Sequence, residues 1–121
     1  MACYSIPAMA STPTALNLAS YFVDTRLAEG RGTRVAVRDY SAASAVTTPR
    51  VSTYQDLAAA SARVAHLLAT LDIRPEERVI IALPDGAAFV EVLFGILRHG
   101  AVVVMVNPDA PPDLLAYFCE Y

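Results

Sequence analysis

Between Arg78 and Pro108 the chain spells out one strand–helix–strand unit, and no other feature narrows its fold as far. Arg78 to Leu83 is a β-branched apolar run, Pro84-Asp85-Gly86 breaks it, and Ala87 to His99 carries helical periodicity. Gly100 ends that pattern, and Ala101 to Val106 is apolar again. Two uninterrupted apolar strands joined by a helix predict neighbours in a parallel sheet with both faces covered, since a parallel pair needs a crossover and the helix supplies it. That crossover is expected to be right-handed. Counting from Phe89, the residues Val92, Leu93, Ile96 and Leu97 fall at +3, +4, +7 and +8, a stripe that faces the sheet. Asp85 is the expected N-cap of this helix and Gly100 its C-terminal stop.

The flanking segments extend the pattern. Leu16 to Ala28 reads as a short helix lying outside the sheet and ended by Gly30-Arg31-Gly32. Arg34 to Tyr40 alternates like a half-buried strand, Ser41 to Pro49 reads as a hairpin connection, and Arg50 to Ser52 as its partner strand near a sheet edge. Thr53 is placed to cap a helix over Tyr54–Leu71, with Asp56 supplying an acid to its first turn. Leu57, Ala60, Val64, Leu67, Leu68 and Leu71 form its apolar stripe. Arg74-Pro75-Glu76-Glu77 is a polar turn into the first buried strand, and Pro111-Pro112 opens a last helix holding Leu114, Leu115 and Phe118. That helix meets Tyr121 with no stop residue, so the C-terminus is expected to be cut. The expected fold class is α/β, a mostly parallel sheet with flanking helices. Residues 1–15 form a flexible lead-in and residues 16–121 the folded unit.

Composition removes whole classes of function. A chain of 121 residues is one domain hiding roughly two-thirds of its unfolded surface. Its apolar share of 55% against 17% charged residues exceeds that of a free-standing soluble domain and points to a partner surface. Arg98, His99 and Gly100 divide the longest apolar region below the roughly eighteen residues of a membrane span. The first fifteen residues lack the basic region of a secretory signal. Cys3 and Cys119 sit at opposite ends without metal-ligand spacing, which suits two reduced thiols and the cytoplasm. A net charge of −3 with dispersed signs offers no basic stripe for nucleic acid and no patch for anionic lipid. All nine cationic side chains are arginine, so Schiff-base and phosphate-loop lysine chemistry is impossible within the chain.

No constellation of reactive side chains stands out. Pro84-Asp85-Gly86 follows a strand and opens a helix, the geometry of a phosphate loop, yet it has one glycine and no lysine, so a plain capped turn is expected. Asp109 and Asp113 read as first-turn helix charges rather than metal ligands, and Glu76-Glu77 as a solvated turn. Ser61 lies in a helical pattern without a nucleophile elbow, His66 is an isolated imidazole, and His99 a dipole partner at a helix end. The tyrosines at 4, 21, 40, 54, 117 and 121 have no repeated spacing that would stack bases. No residue is assigned a catalytic, cofactor-binding or metal role.

Arg50-Val51-Ser52-Thr53-Tyr54-Gln55-Asp56-Leu57 resembles the first core motif of the adenylate-forming enzymes, the superfamily of acyl- and aryl-CoA ligases, adenylation domains and luciferases. Leu97-Arg98-His99-Gly100-Ala101 through Asn107-Pro108 resembles their second core motif, and Ile73 to Val79 the turn and strand between the two. Order and spacing agree over residues 16 to 121. The opening Asn17 to Asp24 followed by Glu29-Gly30-Arg31-Gly32 looks like the benzoate-CoA ligase branch.

The resemblance implies a partial N-terminal subdomain of that fold. It also implies a parent enzyme that uses ATP and Mg2+ to turn an aromatic carboxylate into an acyl adenylate, then passes the acyl group to CoA. The family's phosphate loop, ribose-binding aspartate, aryl pocket and adenylation lysine all lie downstream of this sequence, so the fragment alone is expected to be inactive. Its expected partner is the remainder of the same ligase chain, with a homodimer possible. Some relatives carry a basic residue after the Asn-Pro pair near the CoA nucleotide; here Asp109 stands there. The alternatives are a stand-alone α/β docking or dimerisation module, and the start of an adenylation domain that loads a carrier protein.

Overall fold

The computed structural model describes residues 16–41 and 48–120. The lead-in over 1–15 and the centre of the Ser41–Pro49 connection lie outside the described residues. A π-helical segment, Ser20–Asp24, runs into α1 (Thr25–Ala28), followed by strands β1 (Val35–Asp39) and β2 (Arg50–Thr53) and helix α2 (Tyr54–Thr70). Then come β3 (Arg78–Ile81), α3 (Ala87–His99), β4 (Val102–Met105) and α4 (Pro112–Glu120).

The strand–helix–strand unit forms as its sequence requires. β3 and β4 are parallel, with Arg78 opposite Val102 and Ile81 opposite Met105, and α3 is their crossover. β1 and β2 pair antiparallel from Val35 opposite Thr53 to Asp39 opposite Arg50, with an irregularity between Val35 and Val37. The fold is α/β with flanking helices, but the described strands divide into two separate two-stranded ladders instead of one mostly parallel sheet. The reason is that β2 passes directly into α2, so the hairpin packs against α2 and α3 rather than extending the β3–β4 ladder. Nor is the parallel ladder covered on both faces: Val102 is 41% exposed and Met105 64%.

Helix ends show how local chemistry sets the boundaries. At the start of α2 the Thr53 backbone N–H donates to Asp56 Oδ2 at 2.9 Å, and the Asp56 N–H donates to Thr53 Oγ1 at 3.2 Å. Asp56 therefore closes a reciprocal capping box in place of the usual Glu or Gln. α2 ends with Asp72 in the left-handed region, φ 57°, while the Ile73 N–H donates to the Leu68 carbonyl and the Asp72 N–H to that of Ala69. This is a Schellman stop built without glycine, and Ile73 packs back on Leu68. Gly100, φ 86°, ends α3 in the expected way, donating to the Ile96 and Leu97 carbonyls.

The main core lies where α2 and α3 meet the β3–β4 ladder. Leu68, Ile81, Ile96 and Ala101 are buried, with Val64, Ile73, Val79, Phe89, Val92 and Leu93 packed around them. The predicted α2 stripe holds only in part: Leu57, Ala60 and Leu68 are buried, but Leu67 and Leu71 face outward. The N-terminal segment, expected outside the sheet, packs on α2 through buried Val23.

Gly95 sets how closely the two helices approach. A Cβ there would collide with the Val64 side chain and sit 3.1 Å from the Ser61 carbonyl oxygen. A mid-helix glycine costs about 1 kcal/mol relative to alanine, so only this close approach accounts for it. Gly95→Ala is expected to lower stability in urea denaturation by about 1–3 kcal/mol through overpacking. Adding Val64→Ala should recover part of that loss, because the double variant restores the space; no recovery would mean that Gly95 serves another purpose.

Candidate functional site

The turn at Pro84-Asp85-Gly86 is the one place where the sequence offers phosphate-loop geometry, and the structure fills it from another element. Asp39, at the end of β1, accepts the Ala87 N–H on Oδ2 at 2.9 Å and the Ser41 N–H on Oδ1 at 2.8 Å. The first residue before α3 is Gly86, and Asp85 makes no capping bond. The expected Asp85 cap is thus corrected: an acid 48 positions earlier in the chain occupies the exposed amide. A Cβ on Gly86 would come within 3.1 Å of Ser41 Oγ and 3.3 Å of Asp39 Oδ2, so the turn has no room beside its own carboxylate. Hydrogen bonds from the Ser41 hydroxyl, the Ala87 N–H and the Ser41 N–H, with the Arg50 charge, hold Asp39 down at about 2.

At the other end of α3 a polar knot ties three helical elements together. Arg98 donates from Nη1 to Asp24 Oδ2 at 3.0 Å and from Nη2 to Asp24 Oδ1 at 2.6 Å, a bidentate pair. Its Nε donates to Ser61 Oγ at 3.2 Å, and Ser61 in turn donates to the Ala58 carbonyl at 3.0 Å. The Arg98 hydrogen bonds hold the Asp24 carboxyl below its usual range. Asn17 Nδ2 donates to the Leu97 carbonyl at 2.8 Å, while its Oδ1 accepts the Ala19 N–H at 2.9 Å. Ser61 is therefore a fully buried structural acceptor and no nucleophile. His99 Nε2 lies 2.6 Å from the Ile73 carbonyl oxygen; a carbonyl only accepts, so Nε2 carries the proton.

The remaining candidates stay apart. Glu77 accepts from Arg74 at the backbone N–H and the guanidinium, contacts that hold its carboxyl low. Asp109 is exposed, and its N–H is bound by Asn107 Oδ1 at 3.0 Å; Asp113 stands in the first turn of α4. His66 and Cys119 are exposed. Among the described residues no three His, Cys, Asp or Glu side chains gather to hold a metal ion, and no helix is long and apolar enough to cross a membrane. Asp39 takes the first amide of α3, and the chain has no lysine to face a phosphate there.

What the fold does present is an apolar trough of about 740 Å³ along the parallel ladder. It is lined by Leu68, Leu71 and Ile73, by Arg78, Val79, Ile80 and Val104 of the strands, and by Phe118 and Cys119 of α4. Leu71 is 61% exposed and Phe118 37%. Exposed apolar surface of this extent costs free energy in water and marks an interaction face.

The described residues combine a strand–helix–strand unit with a helix led by a hairpin strand. Residues 25–121 match the family described as AMP-binding enzyme, and the chain belongs to that family. It is 35% identical over 104 residues to a 4-hydroxybenzoate–CoA/benzoate–CoA ligase of Rhodopseudomonas palustris, covering 86% of this chain and 18% of that protein. Its structure resembles a benzoate CoA ligase from Burkholderia xenovorans LB400 at a TM-score of 0.72 and 30% identity, covering 88% of this chain and 20% of the other. An anthranilate CoA ligase in complex with anthranoyl-AMP is similar at a TM-score of 0.72 and 25% identity, over 88% of this chain and 19% of that one. The chain spans about a fifth of the length of these relatives.

The Asp39 cap has a pH signature. Its folded pKa lies below the ordinary carboxylate value, so the stabilisation is complete above about pH 4 and is lost as pH falls toward about 2. Between these limits the stability of the parent sequence should fall more steeply than that of an Asp39→Asn variant, in urea titrations at several pH values. Parallel curves would show that the carboxylate does not act as the cap.

Proposed function

We propose that this chain is the leading part of an aryl-CoA ligase and acts as the scaffold against which the rest of that enzyme assembles. The parent enzyme activates an aromatic carboxylate with ATP and Mg2+ to an acyl adenylate and then forms the thioester with CoA, in the cytoplasm. The observation that carries this reading is the similarity to the Rhodopseudomonas palustris ligase across 86% of the chain. The resemblance to a benzoate CoA ligase and an anthranilate CoA ligase supports an aromatic acid as the substrate.

The open trough supports the scaffold part. Its occupant in this reading is the remainder of the ligase chain, laid over the β3–β4 ladder and against α4. Among the described residues no three His, Cys, Asp or Glu side chains gather to hold a metal ion and the chain has no lysine, which supports a reaction carried by residues outside these 121.

A pyrophosphate-release assay with ATP and benzoate or aminobenzoate tests both parts. The full-length protein should release pyrophosphate only when the aryl acid is present, and the isolated 121-residue chain should release none. Turnover by the isolated chain would refute the scaffold assignment; a full-length protein indifferent to aryl acids would refute the substrate class.

A further inference from the structure

Beside the N-terminal helix lies a cleft of about 450 Å³ whose walls include Tyr21, Phe22, Arg26, Arg31, Arg34 and Tyr54. Three of the nine cationic residues of a chain with net charge −3 converge there. One carboxylate answers them: Glu29 Oε2 lies 3.0 Å from Arg26 Nη1 and 3.3 Å from Arg31 Nε. Arg34 has no carboxylate partner among the described residues. Two guanidinium charges are therefore left without a counter-charge in one concave surface.

The backbone holds these side chains in place. Gly30, at φ 73°, donates to the Leu27 carbonyl, Arg31 to that of Arg26, and Arg34 to that of Arg31. Tyr54 donates to the Arg34 carbonyl and Gln55 to that of Gly32, which fastens the loop to the start of α2. The opposite wall is the π-helical turn, a geometry frequent at functional positions. From it Tyr21 and Phe22 project edge to face at 5.0 Å, each 52% exposed.

Guanidinium groups bind phosphate through paired N–H donors, and open aromatic faces stack flat rings. We infer that this cleft binds a nucleoside monophosphate, its phosphate held by Arg31 and Arg34 and its base stacked on Tyr21. A phosphate dianion matches the two unanswered charges, whereas a carboxylate would leave one of them over. A nucleic acid strand is disfavoured, because Glu29 already pairs with Arg26 and Arg31 and the chain carries a net charge of −3.

The test is an NMR titration of full-length protein carrying 15N-labelled arginine, with the Nε–H signals of Arg31 and Arg34 assigned through Arg31→Gln and Arg34→Gln. GMP is the probe, so that a site elsewhere selective for adenine stays empty, and inorganic phosphate is the second arm. Both signals should shift saturably with GMP, at a concentration about tenfold below that needed with phosphate, the factor that one stacked base contributes. Tyr21→Leu should remove the preference for GMP and leave the phosphate response unchanged. Equal response to the two probes would overturn the base-stacking assignment; no shift with either would overturn the site. Neither result bears on pyrophosphate release, so this inference and the ligase reading fail separately.

Discussion

The close approach of α2 and α3 at Gly95 is the contact from which the rest of the structure follows. With no side chain on Gly95, the two helix backbones come near enough for Val64 to fill the gap, and Ser61 is buried between them. That approach aligns Leu68 and Ile96 over Ile81 and Ala101, so that a two-stranded ladder acquires a core it could not build alone. It also brings Arg98 within reach of Ser61, and through it the N-terminal segment. A methyl group at this one position pushes on every layer, since close-packed interiors transmit small volume changes.

Local pattern made most elements legible in advance, because local pattern causes them. The apolar runs and the helical stripe between Arg78 and Val106 predict the parallel pair and its crossover, and both form. Thr53 and Gly100 mark helix ends where they stand. Features that depend on partners far along the chain were out of reach. Nothing near Ala87 says that Asp39 will cap α3, and nothing near Arg98 says that Asp24 will grip it, 74 positions away. Ser61 looked like one small residue among alanines, and its role as an acceptor appears only when α3 is laid across α2. The division of the strands into two ladders was equally hidden, since strand patterns carry period and not partnership.

The functional reading rests on a different kind of information. Three stretches resembling family motifs, in order and at the right spacing, identify the superfamily, and the match over residues 25–121 agrees. Yet the residues in those stretches do structural work: Thr53 and Asp56 cap α2, Arg98 grips Asp24, and Gly100 stops α3. The geometry therefore explains why a sequence so typical of an enzyme family holds no reactive cluster among its described residues. In this part of the fold, family identity is written in caps and stops. The arginine and tyrosine residues of the N-terminal cleft come from separate stretches, Tyr21 and Arg31 from the opening segment and Tyr54 from the first core motif, and meet only when the loop is fastened to α2, so sequence spacing alone did not group them.

The long-range polar ties share a direction. Asn17, Asp24 and Asp39 all precede α3, and each secures one of its ends: Asp39 the first amide, Asn17 the last carbonyls, Asp24 the guanidinium of the final turn. A chain made on the ribosome from its N-terminus displays these three anchors before the helix they hold has emerged. The partners that cap the crossover are thus already synthesised when its termini clear the exit tunnel.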